Sequence, residues 1–268
     1  MKVALVLGGG GARGFAHVGV LRVLEQERIP IDLLVGTSAG SFIGAIYADT
    51  RDSFELESVA WSASKEDLFD WSLLGSARGP VTGKALRAFI GRHVRARTIE
   101  ELAIPFVAVA TDLVTGEEVV LDRGPVAPAV HASSAIPGVF RPVDLGGRTL
   151  VDGGTVDPIP VRPARERGAD VVIAVDIGKE IGGEEPGNFA SISLRSLAIL
   201  KRELGRYKAA EADVVISPKV GDTSPFDFSK RKELMAAGMA ATREALPAIR
   251  DAILRASLRP ASLPAHSQ

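Results

Sequence analysis

The chain has 268 residues, no cysteine and a formal net charge of −1 at pH 7. Its length suits one large α/β domain or at most two small ones. A hydrophobic content of 46% and a charged content of 24% are those of an ordinary globular protein. The lack of cysteine excludes disulfides, thiol catalysis and cysteine-bound metal, and the sequence has no basic stripe interleaved with aromatics that would indicate a nucleic-acid partner.

The N-terminal segment predicts a buried strand and not a targeting signal. Only residues 3–7 separate Met1 and Lys2 from a run of glycines, which is shorter than the roughly 7–15 apolar residues of a signal-peptide core. No apolar run approaches the roughly 18–20 residues of a membrane span. We therefore expect a cytoplasmic protein whose membrane contact, if it makes one, is peripheral and on the inner face.

Strand-like and helix-like apolar segments alternate along the chain. The segments with strand character are 3–7, 33–37, 106–111, 119–121, 139–145, 171–176 and 214–217. The segments with helical spacing are 18–24, 41–48 and 230–254, the last interrupted near Pro247. Two glycines at 146–147 predict a tight hairpin. Continuous apolar strands alternating with helices predict a mostly parallel sheet covered on both faces.

The sequence shows no internal repeat and no clear linker. We therefore predict a single domain over residues 1–258, followed by a flexible tail at 259–268. The polar, glycine-rich segment 178–188 predicts a mobile loop.

A glycine-rich turn, VLGGGGARGFAHVGVL, follows the first strand. It is not a Walker A loop, because Gly14 is followed by phenylalanine and alanine where lysine and a hydroxyl are required. The spacing of Gly9, Gly11 and Gly14 satisfies a dinucleotide-binding fingerprint. The acid that would bind ribose is missing from the end of the second strand, however, because Asp32 precedes that strand.

The second strand ends in GTSAG, residues 36–40. The pattern G-x-S-x-G between a strand and a helix is typical of a nucleophile elbow, which exposes the hydroxyl of Ser38 at a sharp and strained turn. Side chains at Gly36 and Gly40 would collide in such a turn. The helix that begins there directs its positive N-terminal end at the reaction site.

The glycine loop and the elbow are predicted to face each other. Loops at the carboxyl ends of adjacent parallel strands meet in one crevice. The amides of Gly9, Gly10 and Gly11 would then donate to the oxyanion that forms when Ser38 attacks a carbonyl, and one such donor typically contributes about 2.7–4 kcal/mol.

A serine nucleophile needs a general base. The histidines are His17, His93, His131 and His266. None follows an acid late in the chain, as the order of an α/β-hydrolase triad requires, and structural roles are favoured for them. Asp152 is the better candidate, because Gly153 and Gly154 let its carboxylate approach another loop. Asp-Gly-Gly is also an ordinary turn.

These motifs together resemble those of the patatin-like phospholipase family, in its compact bacterial branch. GGGARG at 9–14 is similar to the family's oxyanion loop, GTSAG to its nucleophile motif and DGG at 152–154 to its D-G-[AG] motif. ATDLVTGE at 110–117 and ASSAIPGVFRPV at 132–143 resemble further stretches of the bacterial members. The resemblance covers about residues 3–253.

The resemblance implies a three-layer α/β/α fold with a mostly parallel central sheet. It also implies a Ser38–Asp152 dyad without histidine, with no metal or cofactor, which hydrolyses acyl esters, often of phospholipids or lysophospholipids. The partner is then a lipid or another acyl-ester substrate. The resemblance also predicts a basic residue at position 13, which is Arg13. It either meets a lipid phosphate or pairs with an internal acid and braces the loop, and the second role is favoured.

Several residues have weaker assignments. Ser133 and Ser134 are expected to form a wall of the cleft without chemistry, Asp157 to be structural and Asp176 to line the crevice. The residues offered as a lid, or alternatively as an ordinary packed helical pair, are Phe54, Trp61, Leu68, Phe69, Trp71, Leu73 and Leu74.

Other functions remain open on sequence alone. A regulatory protein would keep the fold and bind an acyl or phosphate ligand with little turnover, although an intact Ser38 and Asp152 argue against it. A dinucleotide oxidoreductase ranks third. The sequence does not choose between hydrolysis and acyl transfer, and it leaves the oligomeric state unknown.

Overall fold

A computed structural model describes residues 1–76, 78–178 and 186–258. The strands are β1 (Val3–Leu7), β2 (Leu33–Thr37), β3 (Trp71–Ser76), β4 (Gly79–Val81), β5 (Phe106–Asp112), β6 (Glu118–Leu121), β7 (Val143–Leu145), β8 (Arg148–Asp152), β9 (Val171–Val175) and β10 (Val214–Ile216). The helices are α1 (Phe15–Gln26), α2 (Ala39–Thr50), α3 (Ser53–Ser62), α4 (Lys65–Leu68), α5 (Lys84–His93), α6 (Val126–Ser133), α7 (Val161–Glu166), α8 (Phe189–Ala209) and α9 (Arg231–Ser257). The predicted tail at 259–268, and residues 179–185 of the predicted loop, lie outside the described residues.

The main sheet contains eight strands in the order β10-β9-β1-β2-β5-β8-β7, with β6 also paired to β5. The five strands from β10 to β5 are parallel. Strands β6, β8 and β7 pair antiparallel, and β7 and β8 form the hairpin that the two glycines predict. The parallel prediction is therefore confirmed for the centre of the sheet, while one end is antiparallel.

Helices cover both faces of this sheet. Along β1, Val3, Leu5 and Leu7 pack in a core with α1, α2 and α9, whereas Ala4 and Val6 pack in a second core with α7. Because neither face meets water, the central strands are apolar at successive positions and do not alternate with polar residues. This is the predicted three-layer α/β/α arrangement.

Helices α1 and α9 cross so closely that their backbones are in contact. A Cβ atom added to Gly19 would lie 2.0 Å from the carbonyl oxygen of Met235, and one added to Gly238 would lie 2.0 Å from that of Ala16. The two glycines therefore allow each helix to pack directly against the backbone of the other.

Gly238→Ala is expected to lower the free energy of unfolding by about 2–4 kcal/mol, because the helices must separate to admit the methyl group. The matched control is Gly91→Ala in α5, where no atom lies within 4 Å of the added Cβ. That substitution should stabilise the protein by about 0.5–1 kcal/mol. Denaturant unfolding followed by circular dichroism measures both, and equal shifts would contradict the close crossing.

Helix α9 is continuous from Arg231 to Ser257, so the predicted interruption near Pro247 is wrong. Proline removes one backbone donor and leaves the carbonyl four residues earlier without its helical partner. Both Arg243, which carries that carbonyl, and Pro247 are exposed, so water can hydrate the freed oxygen. Among the described residues, no helix has the length and apolar character needed to cross a membrane.

The register of the sheet brings the serine and the aspartate to one edge. Thr37, which precedes Ser38, pairs with Val109 of β5, and the next residue, Ala110, pairs with Asp152. Both pairings lie on the same side of β5, because β6 pairs with Val109 and Ala110 from the opposite side. Strands β2 and β8 therefore meet end to end beside β5, and Ser38 and Asp152 leave the sheet at neighbouring positions.

Candidate active site

Ser38 occupies a strained turn between β2 and α2. Its backbone has φ 53° and ψ −121°, a conformation that favours glycine. A Cβ atom added to Gly36 would lie 2.6 Å from the carbonyl carbon of Gly40, and one added to Gly40 would lie 2.0 Å from the oxygen of Leu7. The geometry thus accounts for both glycines of the motif, as the elbow requires.

Two further serines hold the backbone of this turn. The amide of Ser38 donates to Ser133 Oγ at 3.0 Å, and Ser133 Oγ in turn donates to the oxygen of Val109 at 2.6 Å. Ser41 Oγ donates to the oxygen of Ser38 at 2.7 Å. Ser133 and Ser41 are fully buried, so these bonds fix the elbow in a medium without competing water.

The glycine loop lies against the elbow. A Cβ atom added to Gly9 would lie 3.3 Å from Ser38 Cβ. The Gly9 amide donates to the oxygen of Pro158 at 3.0 Å, and the Ala12 amide donates to that of Pro225 at 2.7 Å. This differs from the expectation that Gly9 shares the oxyanion, because its N–H already has a partner. It leaves the amides of Gly10 and Gly11 as the donors of that loop.

Two buried side chains brace the loop from inside. His17 Nε2 donates to the oxygen of Gly8 at 2.8 Å. Burial lowers the pKa of His17 to about 4, so this imidazole is neutral at pH 7. Arg13 Nε donates to the oxygen of Gly10 at 3.0 Å, which is the bracing contact that the sequence favours. A Cβ atom added to Gly14 would lie 2.8 Å from Ala39 Cβ, so the loop also packs on the start of α2.

Arg13 keeps its charge in this setting. Burial lowers the pKa of Arg13 to about 10, and the negative charge of Asp176 partly opposes that change. The guanidinium therefore remains protonated at neutral pH. Its Nη1 atom is buried without a hydrogen-bond partner within the described parts of the chain.

Asp152 ends β8 with its side chain almost wholly buried. Its Oδ1 accepts from the amide of Gly154 at 2.7 Å and lies 3.8 Å from Lys201 Nζ. A Cβ atom added to Gly153 would lie 2.1 Å from the oxygen of Val109, so only glycine permits this approach to β5. Over residues 1–76, 78–178 and 186–258, no direct hydrogen bond joins Asp152 to Ser38.

Ser38 lies where two clefts of different character meet. The apolar cleft has a volume of about 80 Å³, and its walls are apolar apart from Ser38 and Ser134. The polar cleft has a volume of about 710 Å³ and contains Asp152 and the three loop glycines. Asp176 also lines the polar cleft, in agreement with the sequence expectation. A molecule with an apolar and a polar end could place its junction at Ser38.

The segment offered as a lid supplies one wall of the apolar cleft. Leu68 and Phe69 line it directly, together with residues of α3. Phe54 instead packs under the guanidinium of Arg22, and Trp61 lies beside Arg231. The Leu73 and Leu74 side chains lie outside the described residues. Inward packing and a lid role both fit this arrangement.

The other histidines of the described residues do not reach the serine. His131 is buried against Phe140, and burial lowers its pKa to about 4. His93 packs on Phe89 and is half-buried, not solvent-facing as predicted. His266 lies outside the described residues. Within the described residues, no histidine lines either cleft and no cluster of histidines and carboxylates could hold a metal ion.

Asp157 lies directly beneath the elbow. Thr37 Oγ1 donates to its backbone oxygen at 2.9 Å, and Lys208 Nζ lies 3.8 Å from its Oδ2. The side chain is fully buried. Burial and the neighbouring carboxyl of Glu118 raise the pKa of Asp157 to about 8.

The folded state therefore holds the Asp157 proton more tightly than the unfolded chain, and stability should fall as pH rises from about 4 to 8. Asp157→Asn removes this dependence because the amide does not titrate. Between pH 5 and pH 8, the native protein should lose about 1–3 kcal/mol relative to the variant. Denaturant unfolding at a series of pH values measures the difference. Parallel pH profiles would show that Asp157 is ionised throughout.

Sequence analysis missed two residues of this site. Ser133 was expected only to line the cleft, yet it binds the Ser38 amide. The tandem serines in an alanine-rich helix were the available signal. Lys201 carried no signal, because its position beside Asp152 depends on how α8 packs over the sheet.

Comparison with known proteins places this site in a family. The family model described as patatin-like phospholipase matches residues 5–165. An uncharacterized NTE family protein of Mycobacterium tuberculosis is 40% identical over 188 residues, covering 68% of this chain and 51% of that protein. Human patatin-like phospholipase domain-containing protein 6 is 38% identical over 184 residues, covering 66% of this chain and 13% of that protein.

More distant matches extend further along the chain. Lysophospholipase NTE1 of Kluyveromyces lactis is 29% identical over 269 residues, covering 89% of this chain and 19% of that protein. The crystal structure of VipD from Legionella pneumophila matches with a TM-score of 0.63 and 14% identity, covering 93% of this chain and 67% of that one. The likeness to VipD shows a shared fold alone.

The chain belongs to the patatin-like phospholipase family. Two of these relatives are named as a phospholipase domain-containing protein and a lysophospholipase. This chain spans about half the length of the mycobacterial relative and a much smaller part of the human and yeast proteins.

Proposed function

We propose that this chain hydrolyses lipid acyl esters through an acyl-enzyme on Ser38, with Asp152 as the general base. One observation carries the proposal: a strained serine lies at the junction of an apolar and a polar cleft, beside a buried carboxylate. The apolar cleft suits an acyl chain and the polar cleft suits the alcohol part of the ester.

In the first half-reaction, Asp152 takes the proton of Ser38 Oγ as that oxygen bonds to the ester carbon. The carbonyl oxygen becomes negative and accepts from the amides of Gly10 and Gly11. When the tetrahedral intermediate collapses, the bond to the alcohol oxygen breaks and the alcohol takes the proton from Asp152. Water then repeats these steps on the acyl-enzyme, and the carboxylic acid leaves.

The carboxylate must approach the serine for this chemistry. Asp152 instead contacts Gly154 and Lys201 in the structure, so it turns toward Ser38, or acts through one water, when substrate binds. Carboxylates are weak bases toward a serine hydroxyl. Much of the rate acceleration therefore falls to the loop amides and to exclusion of water from the apolar cleft.

A fluorophosphonate probe tests the proposal. The native protein should be labelled on a single peptide, with the adduct mapped by mass spectrometry to Ser38. Heat-denatured protein is the control and should not react, because the reactivity depends on the folded elbow. A well-folded protein that resists the probe would contradict the proposal and would favour a role as a ligand-binding protein.

A further inference from the structure

Lys201 lies at the boundary between the proposed base and the polar cleft. It is carried by α8, beyond residues 5–165 that match the family model. Its Nζ is 3.8 Å from Asp152 Oδ1 and 3.6 Å from the position of a Cβ atom added to Gly154. About a quarter of the lysine side chain is exposed, and the residue lines the polar cleft. One ammonium group can therefore contact both the base and a ligand in that cleft.

The described residues that line the polar cleft carry more positive than negative charge, although the chain as a whole has a net charge of −1. The charged ones among them are Arg13, Arg195, Lys201, Arg202, Asp152 and Asp176. Within the described part of the lining, four basic residues thus face two acidic ones. Arg13 is more than nine-tenths buried and, within the described residues, leaves Nη1 without a partner. A cleft of this kind attracts an anionic group such as a phosphate.

The two clefts differ in size as well as polarity. The apolar cleft has a volume of about 80 Å³ and the polar cleft one of about 710 Å³. The small apolar side suits part of an acyl chain, and the larger polar side has room for a bulky anionic head.

We propose that Lys201 couples the charge of the substrate head group to the base: it holds the Asp152 carboxylate in the empty site and releases it when an anionic phosphate in the polar cleft draws the ammonium away. This inference rests on the proposed ester hydrolysis and concerns how that site distinguishes an anionic head group from an uncharged one. Lys201 is a positioning residue, because it acts on the ester through Asp152.

The physical basis is competition between two anions for one cation. An ammonium 3.8 Å from Oδ1 attracts the carboxylate and keeps it turned toward α8. A phosphate carries more negative charge than Asp152 and binds the ammonium more strongly. Once Lys201 turns to the phosphate, the carboxylate is no longer held and can turn to Ser38. An uncharged head group leaves Lys201 on Asp152, and the ester reacts more slowly.

The test compares two esters that differ only in the phosphate: a monoacylglycerol and the corresponding monoacylglycerol phosphate with the same acyl chain. The native protein should favour the phosphate ester by about 10- to 100-fold in kcat/KM. Lys201→Met should remove this preference. Hydrolysis of the phosphate ester should fall by about 10- to 100-fold, while hydrolysis of the uncharged ester should rise severalfold because the base is no longer held.

Two variants act as controls. Lys201→Arg keeps a cation in place and should retain most of the preference for the phosphate ester. Arg206→Met removes a basic residue from the same helix, where the guanidinium pairs with Glu203 and does not line the cleft. It should leave both rates unchanged. Circular dichroism establishes that each variant is folded.

The outcomes separate the two proposals. Equal losses on both esters in Lys201→Met, or no change on either, would overturn the coupling while leaving ester hydrolysis in place. Failure of the native protein to react with the fluorophosphonate probe would overturn the hydrolase proposal itself. Binding gives a second measurement: in the Ser38→Ala protein, adding Lys201→Met should weaken the affinity for the monoacylglycerol phosphate by about 10-fold. Unchanged affinity would overturn the phosphate contact.

Discussion

Ser38→Ala is expected to lower ester hydrolysis by about 10⁴- to 10⁶-fold and to abolish labelling by a fluorophosphonate. The variant lacks the only atom that is proposed to bond to the ester carbon, so neither an acyl-enzyme nor a phosphonyl adduct can form. The backbone at residue 38 keeps its conformation, because Ser133 and Ser41 form their hydrogen bonds with the main-chain amide and carbonyl of residue 38. Labelling intensity and the rate of fatty-acid release are the two measurements.

A companion variant distinguishes loss of the hydroxyl from disturbance of the turn. Ser38→Gly should be equally inactive, yet about 1 kcal/mol more stable to unfolding than Ser38→Ala. The strained backbone of residue 38 costs roughly 1–3 kcal/mol for a residue with a Cβ, and the greater unfolded-state entropy of glycine offsets roughly 0.5–1 kcal/mol of the relief. Residual activity in both variants would mean that another group attacks the ester. Equal stabilities would mean that the turn stores little strain.

Asp152→Asn is expected to lower kcat by about 10²- to 10⁴-fold and to slow fluorophosphonate labelling by a similar factor. The amide has the shape of the carboxylate and can still accept from the Gly154 amide. It cannot take up the proton of Ser38, however, so the serine must react without a base. The rate of labelling is measured at several probe concentrations. Its dependence on concentration separates the rate constant for attack from the affinity for the probe.

Asp144→Asn is the matched control for that variant. Asp144 lies on β7, in the same hairpin as Asp152, but its side chain is exposed and accepts a hydrogen bond from Thr149 Oγ1. It should keep native rates. If Asp152→Asn also kept them, the base would lie elsewhere, and the neutral His17 beside the glycine loop would be the next residue to replace.

The central strands could be predicted from sequence because burial on both faces leaves an unmistakable signature. The predicted segments 3–7 and 33–37 coincide with β1 and β2. The GTSAG turn between β2 and α2 follows from those strands, since backbone contacts demand both of its glycines. Gly36 meets Gly40 within the turn, and Gly40 meets Leu7 at the end of β1. Short sequence motifs were therefore enough to predict the nucleophile and the turn that holds it.

The elements that complete the site left weaker signals. Helix α8 exposes Ile192, Ile199 and Leu200, so its apolar spacing does not reveal which face meets the sheet. The hydrogen bond from the Ser38 amide to Ser133, and the approach of Lys201 to Asp152, join residues that are distant in the chain. Such contacts depend on tertiary packing, which no short window of sequence records.

The basic cleft is likewise invisible in the composition. A net charge of −1 averages over the whole chain and hides the basic residues Arg13, Arg195, Lys201 and Arg202, which line the described part of the polar cleft. The same averaging conceals the apolar cleft, whose walls come from α2, α3 and residues near 140 and 228. Motifs identify the reacting groups, whereas the substrate surfaces emerge only from the assembled fold.

The hydrogen bond from the Ala12 amide to Pro225 has a consequence for synthesis on the ribosome. The glycine loop is made early, but the Pro225 carbonyl that pins it is made much later, and so are β9, which flanks β1, and β10 beyond it. Until these residues have emerged, one edge of β1 is unpaired and the loop amides have no fixed direction. A nascent chain therefore carries Ser38 without its fixed loop until Pro225 has been made, and the chemistry proposed for this serine must wait for that residue.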